Sequence, residues 1–209
     1  MPARRPLHIG LTGSIGMGKS TVAARLRDLG IAVFDADAEV HRLYQGPAVS
    51  AIEAAFPGTT DGGTVDRQKL SQALLASPAD FARLEAIVHP LVVAAERAFL
   101  KAQAARGGKL AVLEVPLLLE SGRQPRVDAI IVVTTSAELQ RQRVMRRAGM
   151  TTAKLEQVLQ RQLPDAEKRA RADYVVDTSG SFAETEAQVD RIVESLQDRP
   201  ARAFAQYWA

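Results

Sequence analysis

Apolar residues follow two rhythms along this chain. Short continuous apolar runs at residues 7–12, 31–35, 109–116, 127–134 and 172–177 read as strands. The run at 127–134 is apolar throughout its centre, as a parallel strand covered on both faces should be. Between the runs, apolar positions take helical spacing: Val22, Leu26 and Leu29 after the first, and Val40 with Leu43 after the second. A further helix, begun by a Ser136 cap, runs through Leu139 to Arg147. The last carries Val189, Ile192, Val193 and Leu196; it opens on a capping box of Ser181 with Glu184 and is closed by Pro200. Strands alternating with helices predict a three-layer α/β fold with a five-stranded parallel sheet.

One stretch breaks the alternation. Residues 46–106 are mostly helical in pattern, punctuated by Pro47, Pro57-Gly58 and Asp61-Gly62-Gly63. Leu84, Ile87, Val88, Leu91, Val92 and Ala95 keep helical spacing, but Pro90 cuts the run, so His89 is expected to end one helix and cap the next. The stretch is too long for a plain connection between strands and reads as an inserted helical subdomain. For the Ala/Arg tail that ends in Trp208 the pattern yields no element.

The junction of the first strand and first helix carries the strongest chemistry. Gly13-Ser14-Ile15-Gly16-Met17-Gly18-Lys19-Ser20 matches the phosphate-binding loop: Gly, four residues, Gly-Lys-Ser. Glycines let the backbone turn and bring its N–H groups against phosphate oxygens, and the new helix adds its positive end. Lys19 is suited to the β- and γ-phosphates, and the Ser20 hydroxyl to Mg²⁺. The pattern implies binding of a nucleoside triphosphate. The second strand ends in Asp35-Ala36-Asp37, two carboxylates at a strand's carboxyl end, where α/β sheets bind ligands. Each carboxylate has a plainer reading as the cap of the following helix. Glu114, near the end of the third strand, occupies a place suited to a carboxylate near the metal.

Composition narrows the partners. The 209 residues are 46% hydrophobic and 24% charged, ordinary values for a globular chain with ample core. With no cysteine, disulfides and thiolate metal sites are excluded. The net charge of +3 suits anionic substrates. No long basic tract interleaved with aromatics points to nucleic acid. The opening Met1-Pro2-Ala3-Arg4-Arg5-Pro6 has no signal-type apolar run, and no later run is long enough to span a bilayer. A cytoplasmic protein with no membrane or nucleic-acid partner is the expectation, with a monomer favoured.

Basic residues gather late in the chain: Arg141, Arg143, Arg146 and Arg147 on one predicted helix, then Lys154, Arg161, Lys168, Arg169 and Arg171. Arg143 and Arg147, four apart, share a helix face. Phosphoryl transfer needs positive charge on the migrating group's oxygens, and a mobile helical segment carrying it would also exclude water. The expectation is that two of these arginines act on phosphate and the remainder form a solvated basic face. A regulatory GTPase is disfavoured. The Asp-x-x-Gly at 177–180 falls after the fifth strand, and no Asn-Lys-x-Asp guanine reader exists. A nucleic-acid motor would need a second subdomain. Small-molecule kinase is the better class, and the helical insertion would then hold the acceptor.

Several motifs together resemble one family, the dephospho-CoA kinases. They are residues 10–21 around the loop, Asp35-Ala36-Asp37, Val65-Asp66-Arg67, Leu84-Glu85-Ala86-Ile87-Val88-His89-Pro90 and Val115-Pro116-Leu117-Leu118-Leu119-Glu120. Gln140 with Arg143 and Arg147, and Gln162 followed by Ala172-Asp173, extend the match across residues 9–196. The resemblance implies a P-loop kinase fold with strand order 2-3-1-4-5. It implies a nucleotide-binding core at 7–45, 109–135 and 172–199, an acceptor-binding helical subdomain at 46–108 and a lid at 136–171. It implies that ATP with Mg²⁺ phosphorylates the ribose 3′-hydroxyl of dephospho-CoA, the last step of coenzyme A synthesis.

Carried over residue by residue, Asp37 would be the base, and Lys19 and Arg143 would stabilise the transferring group. Gly13 to Thr21 and Arg147 would bind ATP, and Ser20 would hold the metal, helped by Asp35 or Glu114 through water. Thr12, Asp35, Arg67, Arg83, His89, Leu117 and Glu120 are the candidate acceptor contacts. For His89 the alternative is a helix cap; for Arg67 and Arg83, salt bridges within the helical subdomain; Gln162 either reaches the adenine or orders the lid. Three positions depart from the family pattern: Ser14 for a usual Gly, Glu114 for a frequent Asp, and Thr178 for a common Asn. Two other readings compete: a kinase of the same fold with another acceptor, and a nucleotide-binding regulator with no acceptor.

Overall fold

The sheet is organised by strands that have no wet face. In the computed structural model, which describes residues 6–77, 79–122, 126–197 and 199–208, β1 (Leu7–Thr12) and β6 (Ala129–Thr134) are buried at every position. The opening Met1 to Arg5, part of the leader argument above, lies outside the described residues. β1 is flanked by β5 (Leu110–Glu114) in register Leu7 with Leu110, and by β6 in register Ile9 with Ala129, both parallel. β7 (Tyr174–Asp177) adds to β6, again in parallel. β2 (Ala32–Asp35) lies on the outer side of β5, giving the order β2-β5-β1-β6-β7. Counted among these five core strands alone, that is the expected 2-3-1-4-5. The labels differ because residues 46–106 contribute a two-stranded hairpin, β3 (Thr60–Asp61) with β4 (Thr64–Val65), that the helical pattern did not foresee.

Alternation along the strands assigns the two faces. Leu7, Ile9, Leu11, Ala129, Ile131 and Val133 share one cluster with Val22 and Leu26 of α1 (Lys19–Asp28) and Val189, Ile192 and Leu196 of α9 (Phe182–Leu196). Each Val, Leu or Ile among them contributes roughly 1.5–3 kcal/mol on burial. Asp190 of α9 takes a two-pronged bond from Arg25 of α1, at 2.8 and 2.7 Å. On the opposite face, Gly10 lies against Leu118, and Thr134 donates to Asp165 at the start of α8 (Asp165–Ala170). The capping residues read from the sequence hold: Ser136 accepts from Leu139 N–H at the start of α6 (Ala137–Met145), and Ser181 with Glu184 forms the capping box of α9.

The chain divides into two compact units, one of residues 1–34 and 100–209, the other of residues 35–99. The second contains α2 (Ala36–Leu43), α3 (Val49–Ala55), the hairpin, α4 (Arg67–Ala76) and most of α5 (Ala79–Ala105). The expected break at His89 is overturned. α5 runs unbroken for 27 residues with Pro90 inside it, so His89 caps nothing. Proline removes one backbone bond and costs about 3 kcal/mol, but a helix this long keeps its bonds and packing on either side, with Val88 and Val92 buried. No helix among the described residues is long and apolar enough to cross a membrane.

The tail, for which the pattern gave no element, is tied to the amino end of the sheet. Asp128, just before β6, accepts from the N–H groups of Arg202 and Ala203 at 2.7 and 2.8 Å and from His8 N–H at 2.9 Å. The tail then closes as a single π-helical turn, Phe204–Trp208. Trp208 is fully buried, donating its indole N–H to Arg126 O at 2.9 Å with the Arg126 guanidinium over its ring. Phe204 meets the buried His8 ring edge-on at 5.6 Å.

Candidate nucleotide site

β1 ends at Thr12, and the phosphate loop follows before α1 opens at Lys19. Thr12 is fully buried and donates to Pro116 O at 3.1 Å. Two glycines show why the motif demands them. A Cβ on Gly13 would lie 2.5 Å from the Val133 carbonyl oxygen, a backbone atom that cannot yield. Gly18 has φ +90° and caps α1 from a left-handed conformation, with Thr178 packed where a side chain would go. Ser14, the departure from the family pattern, is buried without a positive φ, so it costs the loop no backbone strain.

Side chains from elsewhere in the same unit grip this loop. Gln140 of α6 donates to Ile15 O at 2.8 Å, and Gln162 accepts from Ile15 N–H at 3.1 Å. Thr178, just past β7, donates to Met17 O at 2.8 Å. Arg143 of α6 spends two donors on Thr178, one on its hydroxyl at 2.8 Å and one on its carbonyl at 2.7 Å. Lys19 folds back to donate to Gly13 O at 2.7 Å. Thr178 therefore has a part the sequence did not reveal: it braces the loop and holds the arginine.

Arg147 is not where the helical spacing put it. α6 stops at Met145, and a turn closed by Met150 N–H on Arg147 O carries the chain to Gly149 at φ +73°. Arg147 therefore lies in the turn past the helix that carries Arg143, its N–H on Val144 O at 3.0 Å. Nor is the remaining basic cluster a uniform solvated face. Arg169 and Arg171 pair with Asp165 and Glu167 on α8, but Lys168 between them is fully buried, 2.8 Å from Glu120 Oε1. The Glu120 carboxylate also accepts from Leu163 N–H at 2.8 Å, while its motif neighbour Leu117 is exposed.

In the second unit, Asp35 caps α2 by accepting from Ala38 N–H at 2.9 Å, as the plainer reading had it, and Asp37 lies in the first turn of that helix. Arg67 opens α4 behind the Asp66 cap and lies near Tyr44, whose hydroxyl burial pushes up in pKa against the opposing pull of that arginine. Arg83 stacks over the Phe56 ring at 5.3 Å, a cation–π contact. His89 lies in mid-helix.

Ser20 is exposed in the first turn of α1, and Glu114 Oε2 is 4.0 Å from Arg27. Among the described residues no group of three or more His, Asp or Glu side chains could cage a cation. That donor set fits Mg²⁺ arriving with a nucleotide, because Mg²⁺ takes one or two protein oxygens and fills its octahedron with phosphate and water.

A phosphate loop, an arginine and a buttress of amides describe many kinases. The relatives are more particular. Residues 7–184 match the family model described as dephospho-CoA kinase. A dephospho-CoA kinase of Rhizobium meliloti is 54% identical over 189 residues, 90% of this chain and 97% of that protein. One from Rhodopseudomonas palustris is 53% identical over 196 residues, 94% of this chain and 98% of that protein. Among solved structures, a Thermus thermophilus protein at 35% identity superposes with a TM-score of 0.79 over 92% of this chain and 98% of its own. The dephospho-CoA kinase of Campylobacter jejuni, 24% identical with a TM-score of 0.69 over 91% and 96% of the two chains, shares the fold. The chain belongs to the dephospho-CoA kinase family.

Proposed function

We propose that this protein transfers the γ-phosphoryl group of ATP to the ribose 3′-hydroxyl of dephospho-CoA, releasing coenzyme A and ADP. The observation that carries the reading is an intact, buttressed phosphate loop in a chain that shares over half its residues with dephospho-CoA kinases along nearly its whole length.

The chemistry needs little from the protein beyond placement and charge. The loop residues from Gly13 to Thr21 hold the triphosphate, through backbone N–H groups other than that of Ile15, which Gln162 takes. Lys19 leaves Gly13 O for the β- and γ-phosphates, exchanging a neutral acceptor for charged ones. Arg143 commits two donors to Thr178 and has three of the five guanidinium N–H groups left for the migrating phosphoryl. Arg147, in its turn, is a second cation for the nucleotide. Mg²⁺ held through Ser20 would neutralise charge on the β- and γ-oxygens. Asp37 aligns the acceptor's 3′-hydroxyl and takes its proton as that oxygen bonds to γ-phosphorus; the bond to the β–γ bridging oxygen breaks and ADP leaves.

The acceptor side of the proposal is residues 46–108, with Arg67, Arg83 and His89 as contacts to its phosphates and ribose. The lid is 136–171, and the bringing of Asp37 to the loop is itself part of the reading. Measuring ADP release from Mg·ATP with and without dephospho-CoA, with mass and positional analysis of the product, tests it. Acceptor-dependent turnover that labels the 3′ position and falls at least a hundredfold or so in Asp37→Asn supports the assignment. Turnover with a different alcohol but none with dephospho-CoA sinks it.

A further inference from the structure

Both polar groups of one loop residue are held from outside the loop. Ile15 donates its N–H to Gln162, at the turn between α7 (Thr152–Leu159) and α8, and accepts at its carbonyl from Gln140 of α6. A phosphate cradle works by pre-aligned amides, so whatever fixes Ile15 fixes part of the cradle's geometry before nucleotide arrives.

Gln162 is itself anchored through its neighbour. Leu163 N–H donates to Glu120 Oε1, and the buried Lys168 ammonium lies 2.8 Å from the same oxygen. The pair is close but badly aligned: neither Lys168 Nζ nor Glu120 Oε2 completes a hydrogen bond among the described residues. Such a pair is a poor means of stabilising a fold, since apolar side chains of equal volume commonly do as well or better. Its position behind the turn suits a different use. A buried ion pair holds its two segments at one separation, and here those segments are the end of the Pro-Leu-Leu-Leu-Glu stretch and α8. Asp165, taking the Thr134 hydroxyl, fixes the start of α8 to β6 as well.

We propose that Gln162 is a positioning residue for the nucleotide, set against Ile15 by the Glu120–Lys168 pair, and that Glu120 therefore acts on the ATP side of the reaction, not as an acceptor contact. The proposal rests on the phosphate loop taking a nucleoside triphosphate. It needs no direct contact between Gln162 and adenine.

Calorimetric binding of a non-hydrolysable ATP analogue with Mg²⁺ tests it, alongside Michaelis constants for both substrates. Gln162→Met keeps length and removes the acceptor. It should weaken the analogue about tenfold, the worth of one well-placed hydrogen bond, and leave the KM for dephospho-CoA within about twofold. Glu120→Met/Lys168→Met removes both buried charges together and so avoids an unpaired one. It should weaken the analogue by a similar factor, and adding Gln162→Met should weaken it little further, because one path cannot be cut twice. Unchanged analogue affinity in folded Gln162→Met overturns the proposal. So does a Glu120→Met/Lys168→Met enzyme whose dephospho-CoA KM rises while analogue binding holds. Should the wild-type chain fail to phosphorylate dephospho-CoA, the kinase assignment falls, and the analogue measurements still decide the role of Gln162.

Discussion

The two ends of the central strands are held by opposite means. At the carboxyl end of β1, polar side chains from Gln140, Gln162 and Thr178 grip a glycine loop through its backbone, and Arg143 in turn holds Thr178. At the amino end, the tail seals the sheet with Trp208 and Phe204, leaving both nitrogens of the buried His8 ring without a hydrogen-bond partner among the described residues. Hydrogen bonds can be exchanged for others of like strength, so Lys19 can trade Gly13 O for phosphate oxygens at small net cost while the bracing bonds stay in place. Burial of apolar area has no such alternative partner. The loop end is therefore built to react and the tail end to stay shut, and substitutions at the two should separate kinetics from stability.

The largest effect is expected at Lys19, whose ammonium folds onto Gly13 in the described structure. Lys19→Ala should lower kcat/KM for ATP by about a thousandfold in a coupled ADP assay, with a melting temperature within a degree or two of wild type. At the other end, Trp208→Ala should cost about 3–5 kcal/mol by leaving a cavity in the tail seal. That is a fall of roughly 10 °C in Tm by calorimetry for a chain of this size, with kcat at 20 °C unchanged. If Trp208→Ala lowered kcat in the folded enzyme, the division of labour between the two ends would fail.

Thr178→Val sharpens the comparison because it is nearly isosteric. It removes the donor to Met17 O and one acceptor of Arg143 while preserving packing. Turnover should drop by about ten- to a hundredfold, with a stability loss of only about 1–2 kcal/mol from the unpaired groups. Chemical denaturation and steady-state rates on the same preparation check both parts.

The effect confined to the narrowest condition, acid pH, belongs to His8. Burial pushes its pKa down to about 4, with the nearby Asp128 carboxylate pulling the other way. The unfolded chain takes up that proton near the ordinary value of 6.5 and the folded chain does not until about 4. Its contribution is therefore intact above the higher value and is lost as pH falls toward the lower one. Between pH 7 and pH 5 that is a loss of about 2 kcal/mol, visible as a lower urea midpoint. His8→Leu, which keeps an apolar body beside Phe204, should flatten that limb. An acid limb identical in wild type and variant would show that His8 has no part in it.

Much of this was legible in the sequence, for local reasons. Continuous apolar runs mark strands buried on both faces, and Ser136 and Ser181 announce their helices because a cap needs only its next few residues. The phosphate loop was legible because its glycines answer to backbone geometry: Gly18 must be left-handed wherever the chain goes next. Where the reading failed, a local rule met a wider context. Pro90 should have broken α5, but a 27-residue helix keeps its course on packing either side. Arg147 falls outside its helix because α6 ends two residues early.

What only the tertiary structure decided is who holds whom. Thr178 and Met17 are 161 residues apart and Gln162 and Ile15 are 147 apart, separations across which no periodicity or propensity speaks. Lys168, one cation in a basic stretch, became a buried partner of Glu120 because α8 packs on the sheet with that side inward. The tail followed the same logic. Its composition of Ala and Arg promised no element, and Trp208 found its place only because the chain before β6 offers Arg126 O and a cleft to fill. Sequence fixes what each residue can donate, accept or bury; the fold chooses which partner receives it.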